Sequence, residues 1–159
     1  MSKPGPLLKR ALRLPVFLYG IGAGRLLGHR FLLLAHRGRR SGRVFRTPLE
    51  VVAWDAGLRE AVVMSGFGRR SDWFLNALAG GAEEVRIASS TFRPEVRELG
   101  VDEAARALAV YERRNRLLAP VVRMVLSRLA GFRYNGSDAA RRELVERLPL
   151  VGLRDRSVH

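Results

Sequence analysis

Residues 31–48 read FLLLAHRGRRSGRVFRTP, and that stretch decides how the rest of the chain is understood. Residues 31–34 form an apolar run with the length and bulk of a buried strand. The run breaks at Arg37-Gly38-Arg39-Arg40-Ser41-Gly42, a tight basic turn, then resumes at Arg43 and continues through Leu49 to Trp54. Two apolar strands around a Gly/Ser turn predict a β-hairpin with a longer loop. The chemistry of that loop is concentrated. Arg37, Arg39, Arg40 and Arg43 lie within it and Arg46 follows, beside glycines that let a ligand approach the backbone. Guanidinium forks, a serine hydroxyl and exposed backbone N–H groups suit a phosphate or a carboxylate. A solvated hairpin tip in an arginine-rich protein is the plainer reading of the same residues.

Outward from the hairpin, residues 55–57 read as a turn and residues 58–65, LREAVVMS, as a third strand. Ser71 or Asp72 can cap a short helix over residues 73–79, with Phe74 and Leu78 on its core face, stopped by Gly80-Gly81. Residues 83–89 and 92–99 alternate as strands, and Pro94 puts the second at an edge or bulge. From Val101 the period becomes helical. Asp102 is a good N-cap, and Ala104, Leu108, Tyr111 and Leu118 recur at helical spacing. Pro120 breaks or restarts that helix, residues 121–129 are a second amphipathic segment, and Ser137 or Asp138 caps a third over residues 139–148. A last short strand follows Pro149. No internal repeat or linker interrupts the order. The expectation is one α+β domain over residues 1–159, with a barrel-like core at 31–99, helices at 101–148 and a final strand at 149–154.

A chain of 159 residues with 47% hydrophobic and 28% charged residues suits one domain with a real core rather than disorder. Its net charge of +14 is carried almost wholly by arginine, with lysine only at Lys3 and Lys9. That field attracts anions, whether nucleic acid, anionic lipid or an acidic cofactor. The absence of cysteine excludes disulfides, thiol catalysis and cysteine metal sites, and His29, His36 and His159 lack ligand-like spacing, so no metal is expected. His36 reads as a packing or capping residue in a strand. Residues 1–30 are apolar but interrupted by arginines, and their longest uncharged run is too short to span a bilayer. They read either as an amphipathic, interface-seeking helix or as a helix packed on the barrel.

A second constellation joins Met64, Ser65, Gly66, Phe67 and Gly68 to the following helix. A strand ending in Ser-Gly lets a planar ring lie against backbone, and Trp73 and Asn76 share one helical face.

Taken together, Gly38, Arg39, Arg40, Ser41, Gly42, Arg46, Thr47, Pro48 and Leu49 give an apolar strand, G-R-R-S-G and then R-T-P-L. This resembles the deazaflavin-dependent nitroreductase family, whose members use coenzyme F420 in a split β-barrel. The stretch from Ser65 to Trp73-Phe74-Leu75-Asn76 is similar to that family's second signature, without the proline usual before the tryptophan and with Leu78 one place late. The closing Arg147-Leu148-Pro149-Leu150-Val151 is similar to its last strand. The two signatures and the strand order cover roughly residues 25–99.

The resemblance implies a split barrel of about six strands, an N-terminal helix and a helical insertion before the last strand. It implies an oxidoreductase that passes hydride from reduced F420 to a nitro compound, a quinone or an enone. Arg39, Arg40 and Arg46 would clamp the anionic tail with Gly38, Ser41, Gly42, Thr47 and Pro48. Met64, Ser65, Gly66, Phe67 and Gly68 would bed the ring with Trp73 and Asn76. Ser65 and Tyr134 are the catalytic candidates, Tyr134 because the family presents tyrosines to substrate from such a loop. Some members carry N-terminal helices at membranes, so cytoplasmic protein with residues 1–30 touching the membrane face is expected, and a homodimer suits the fold. Two rivals stand: an FMN reductase or flavin-binding protein on the same fold, and a basic module for polyanions or membrane surfaces. Against specific nucleic-acid binding, Trp54, Phe67, Trp73 and Phe92 are not interleaved with the basic cluster.

Overall fold

The structure, a computed structural model, describes residues 29–158. The amphipathic helix expected at residues 1–30 therefore falls, but for its last two positions, outside the described residues. The organising hairpin is present as β1 (Phe31–Arg37) and β2 (Val44–Asp55), paired antiparallel from Phe31 opposite Glu50 to Arg37 opposite Val44. It is followed by β3 (Glu60–Met64), α1 (Asp72–Asn76), β4 (Ala82–Ile87), β5 (Ser90–Phe92) and β6 (Pro94–Glu98). Helices α2 (Val101–Arg114), α3 (Ala119–Ala130) and α4 (Asp138–Arg147) then precede β7 (Leu150–Asp155).

Among the described residues the seven strands form one antiparallel sheet in the order β5-β4-β1-β2-β3-β7-β6. β6 comes round against β4, so the sheet nearly closes into a split barrel. The count is seven rather than about six because the strand expected over residues 92–99 divides at Arg93. Phe92 pairs with Val85 of β4, whereas Pro94 lies opposite Asp155 of β7. A proline cannot donate to a ladder, and here it stands where the chain leaves one side of the sheet for the other.

Both faces of the central strands are covered. Leu32, Leu34, Val63, Val85, Val151 and Leu153 point into the barrel, none of them measurably exposed. On the opposite face Val52 and Val62 pack against Leu108 of α2, Leu126 of α3 and Leu144 of α4. Strands buried on two faces read as continuous apolar runs, which explains the unalternating sequence of β3.

Some helix ends follow local rules and others depart from them. Ser137 Oγ accepts from the Ala140 N–H at 3.2 Å and caps α4. Gly100, not Asp102, stands at the N-cap of α2, and Asp102 lies in its first turn. After α1 the chain widens into a π-helical turn (Ala77–Gly81) that turns Leu78 to solvent, 45% exposed, rather than to the core. Leu118 is likewise 53% exposed, in the 3-10 turn (Arg116–Leu118) that links α2 to α3.

Candidate functional site

The glycines of the hairpin loop are there for geometry. A Cβ on Gly38 would sit 2.6 Å from Ser41 Oγ and 3.2 Å from the Phe45 ring. Gly42 has φ +71°, a left-handed conformation that disfavours side chains. The loop closes with Gly38 N–H on the Arg43 carbonyl at 2.7 Å and Gly42 N–H on the Gly38 carbonyl at 3.0 Å. Arg37 Nη1 donates to the Gly42 carbonyl at 2.7 Å. The backbone N–H groups of Arg40 and Ser41 are left without a partner among the described residues, as are the guanidiniums of Arg40, Arg43 and Arg46. Uncommitted amides beside uncommitted guanidiniums are an anion cradle.

This cradle forms one wall of a cleft of about 540 Å³ that reaches across to Ser71 and to Asp72, Trp73 and Asn76 of α1. A continuous set of hydrogen bonds lines its floor. His36 Nε2 meets Thr47 Oγ1 at 2.8 Å, and Asn76 Nδ2 meets His36 Nδ1 at 3.0 Å. Asn76 Oδ1 accepts from the Arg39 backbone N–H at 3.1 Å and from Arg39 Nη1 at 2.9 Å. Asp72 lies 3.4 Å from Arg39 Nη1. Burial lowers the pKa of His36, against an opposing pull from Asp72, so the ring is neutral at pH 7.

Thr47 and Trp73 also line a second cavity of about 420 Å³ with a different character. Its walls are Pro48, Met64, Gly66 and Phe67 on the barrel side and Val121, Val125, Leu126 and Leu129 on α3. The N–H groups of Gly66 and Phe67 have no partner among the described residues. At its far end Tyr111 of α2 donates its hydroxyl to Glu50 at 2.5 Å. Burial, then the bond to Glu50, pushes the Tyr111 pKa well up, so the phenol keeps its proton at neutral pH. A basic cleft and an apolar slot thus adjoin at Thr47 and Trp73, which line both.

The structure gathers most of the sequence-predicted residues here. Gly38, Arg39, Arg40, Ser41, Arg46 and Asn76 line the cleft; Pro48, Met64, Gly66 and Phe67 line the slot; Thr47 and Trp73 line both. Four lie elsewhere. Gly42 closes the loop from outside the cleft. Ser65 is fully buried, its N–H on the Pro149 carbonyl and its Oγ donating to the Gly68 carbonyl at 2.6 Å, so both residues build the turn and line neither cavity. Tyr134 is buried in the helical cluster with its hydroxyl on Glu112, and lines neither cavity.

Sequence reasoning missed His36, Phe45 and Tyr111. The alternation of β2 and the helical period of α2 were the available signals for Phe45 and Tyr111. Nothing in the sequence pairs His36 with Asn76, forty residues away.

The family model of the F420H(2)-dependent quinone reductases matches residues 18–122. The chain belongs to that family. Coenzyme F420 is therefore the cofactor, and the protein is an F420H2-dependent reductase. No curated protein matches the sequence. Among solved structures, protein Atu2129 of Agrobacterium tumefaciens, of unknown function, superposes with a TM-score of 0.52 at 15% identity. That superposition covers 89% of this reductase and 55% of the Agrobacterium chain, and it supports the fold. An F420-H2 dependent reductase, FDR-A, gives 0.44 at 16% identity over 80% of this chain and 96% of its own. A pyridoxamine 5′-phosphate oxidase-related, FMN-binding protein of Nostoc punctiforme gives 0.41 at 11% identity over 95% and 81%.

Proposed function

We propose that the basic cleft and the apolar slot together form the F420 site, and that the acceptor is a quinone-type ring admitted to the slot. The observation that carries this is the junction at Thr47 and Trp73, where an anion cradle meets an apolar cavity. A molecule with a phosphate and carboxylates at one end and a planar ring at the other matches that polarity.

Reduced deazaflavin, when bound, supplies a hydride. The chain supplies the rest. Arg40 and Arg46, with the N–H groups of Arg40 and Ser41, hold the anionic end. Arg39 is already held by Asn76 and Asp72, so it shapes the loop as well as contributing charge. Pro48, Met64, Gly66 and Phe67 would wall the ring, and the α3 side chains across the slot would exclude water. Reduction of a quinone also consumes a proton. Tyr111, protonated and lining the slot, is the donor we assign in place of Tyr134; its one hydrogen rests on Glu50 and must turn from that carboxylate to the acceptor for the proton to pass. Ser65 fixes the turn that carries Gly66 and Phe67. Quinones suit the slot because its α3 wall is wholly aliphatic and offers no partner for a strongly polar acceptor.

The test is turnover. Purified protein, F420H2 and a panel of quinone, nitro and enone acceptors are followed by reappearance of oxidised F420. Faster turnover with quinones supports the reading. A preference for nitro compounds or enones would change the acceptor class, and turnover with reduced FMN alone would overturn the cofactor assignment.

A further inference from the structure

We propose that His36 is a positioning residue for cofactor binding: its neutral ring locks Asn76 against Arg39 and leaves Thr47 as a hydrogen-bond donor toward the ligand. The inference rests on the cofactor placement argued above.

The direction of every bond in the chain follows from one end of it. The Arg39 backbone N–H and Nη1 can only donate, and both reach the same Asn76 atom, at 3.1 and 2.9 Å. That atom is therefore the amide oxygen. The amide nitrogen then faces His36 Nδ1 at 3.0 Å, and because it donates, Nδ1 must carry a lone pair. A neutral imidazole unprotonated at Nδ1 carries its proton at Nε2, which donates to Thr47 Oγ1 at 2.8 Å. Thr47 Oγ1 thus accepts from within the protein, and its own hydrogen has no partner among the described residues. Thr47 lines both cavities, so that hydrogen is available where the cleft meets the slot.

Protonation of His36 breaks the logic. Nδ1–H would oppose the Asn76 NH2, and turning the amide would set the NH2 against the two donors of Arg39. One end of the chain fails either way. The charged groups lining the cleft with His36 are Arg39 and Arg40 from the loop, Arg46 from β2 and Asp72 from α1. On the β4 side Glu83 is taken by Arg37 at 2.9 Å. Burial outweighs the attraction of Asp72 and favours the neutral ring.

The experiment compares wild type, His36→Asn, His36→Gln and His36→Phe. The Asn oxygen stands in for the Nδ1 lone pair, the Gln nitrogen for the Nε2–H, and Phe supplies neither. Melting curves confirm folding, and F420 affinity is measured by calorimetry from pH 7.5 to pH 5. In the wild type alone, long-range proton–nitrogen NMR reports the His36 tautomer. The expected results are an Nε2–H tautomer at pH 7 and about tenfold weaker binding by His36→Phe. Each amide variant should recover part of the loss. Wild-type affinity should fall relative to His36→Asn as the pH falls through the folded His36 pKa, which burial holds below the ordinary 6.5, a comparison that cancels the ligand's own titration.

Equal binding by wild type and His36→Phe would overturn the inference while leaving the cofactor site standing. So would an Nδ1–H tautomer. Wild-type affinity that rises relative to His36→Asn toward pH 5 would show His36 acting as a cation that meets the anion directly, and would also overturn it. No F420 binding by wild type would refute the cofactor site, and the role of His36 with it.

Discussion

Arg46→Ala gives a clean measure of the anion cradle, because Arg46 lines the cleft and pairs with no carboxylate among the described residues. Its removal leaves no buried charge behind and breaks no internal bond, so the fold should be indifferent. A charged hydrogen bond contributes about 1.5–3 kcal/mol, and solvent exposure reduces that, since exposed ion pairs measure about 0.2–1 kcal/mol. Arg46 is exposed but faces a concave wall shared with Arg40, so about 1–1.5 kcal/mol is appropriate. That corresponds to a rise in the F420 Kd of about five- to twelvefold. Calorimetric titration at low and high salt is the assay, and the gap between wild type and variant should narrow as salt is raised. Arg39→Ala should behave differently. It loses the 2.9 Å bond to Asn76 as well, so a drop in Tm of about 2–4 °C should accompany weaker binding. An unchanged Kd in folded Arg46→Ala, or an equal drop in Tm in both variants, would refute the division between ligand-facing and loop-holding arginines.

Three further outcomes are expected. A Cβ on Gly66 would meet Leu129 Cδ1 at 3.5 Å, an ordinary contact. Gly66→Ala should therefore fold like wild type, while Gly66→Leu, reaching into the slot, should lower kcat/KM at least tenfold on about 1.4 kcal/mol of lost binding. Tyr111→Phe should slow quinone turnover, whereas Tyr134→Phe, which loses a bond to Glu112 away from both cavities, should lower Tm and leave turnover intact. Steady-state kinetics and thermal melts separate the two. Acid should destabilise in two steps. His36 has a lowered pKa, so the unfolded chain takes that proton first and stability falls as the pH drops below 6.5. Burial acts to raise the Asp155 pKa, but its bonds to Ser157 and Arg59 prevail and lower it. Its contribution is present above 3.8 and is lost as the pH falls through the folded value. Denaturant titration across pH, with His36→Asn and Asp155→Asn as controls, reads the two steps separately.

The fold was legible because β1, β2 and the loop between them carry their signals locally. An apolar run, a glycine forced by Ser41 and Phe45, and a second run need no long-range information. The split of residues 92–99 was half legible. Pro94 announced an edge, but the change of partner from β4 to β7 depends on β7, far along the chain. The cleft was legible where it is made of loop residues. The slot was legible on its barrel side only, since α3 reaches it through the packing of three helices. Tyr134 lies away from both cavities for a physical reason: with Glu112 beside it, the hydroxyl finds its partner inside the helical cluster. Tyr111, counted by its spacing as a core residue, proves to be the tyrosine at the slot.

The arginine loop and the slot are assigned here to one and the same cofactor. Equilibrium binding of F420 to the purified protein tests that assignment most directly, with FMN and a short single-stranded DNA in parallel at moderate salt to suppress loose charge attraction. Saturable one-to-one F420 binding is expected, weakened by Arg46→Ala and blocked by Gly66→Leu. FMN binding in its place, or DNA binding alone with a steep salt dependence, would contradict the assignment.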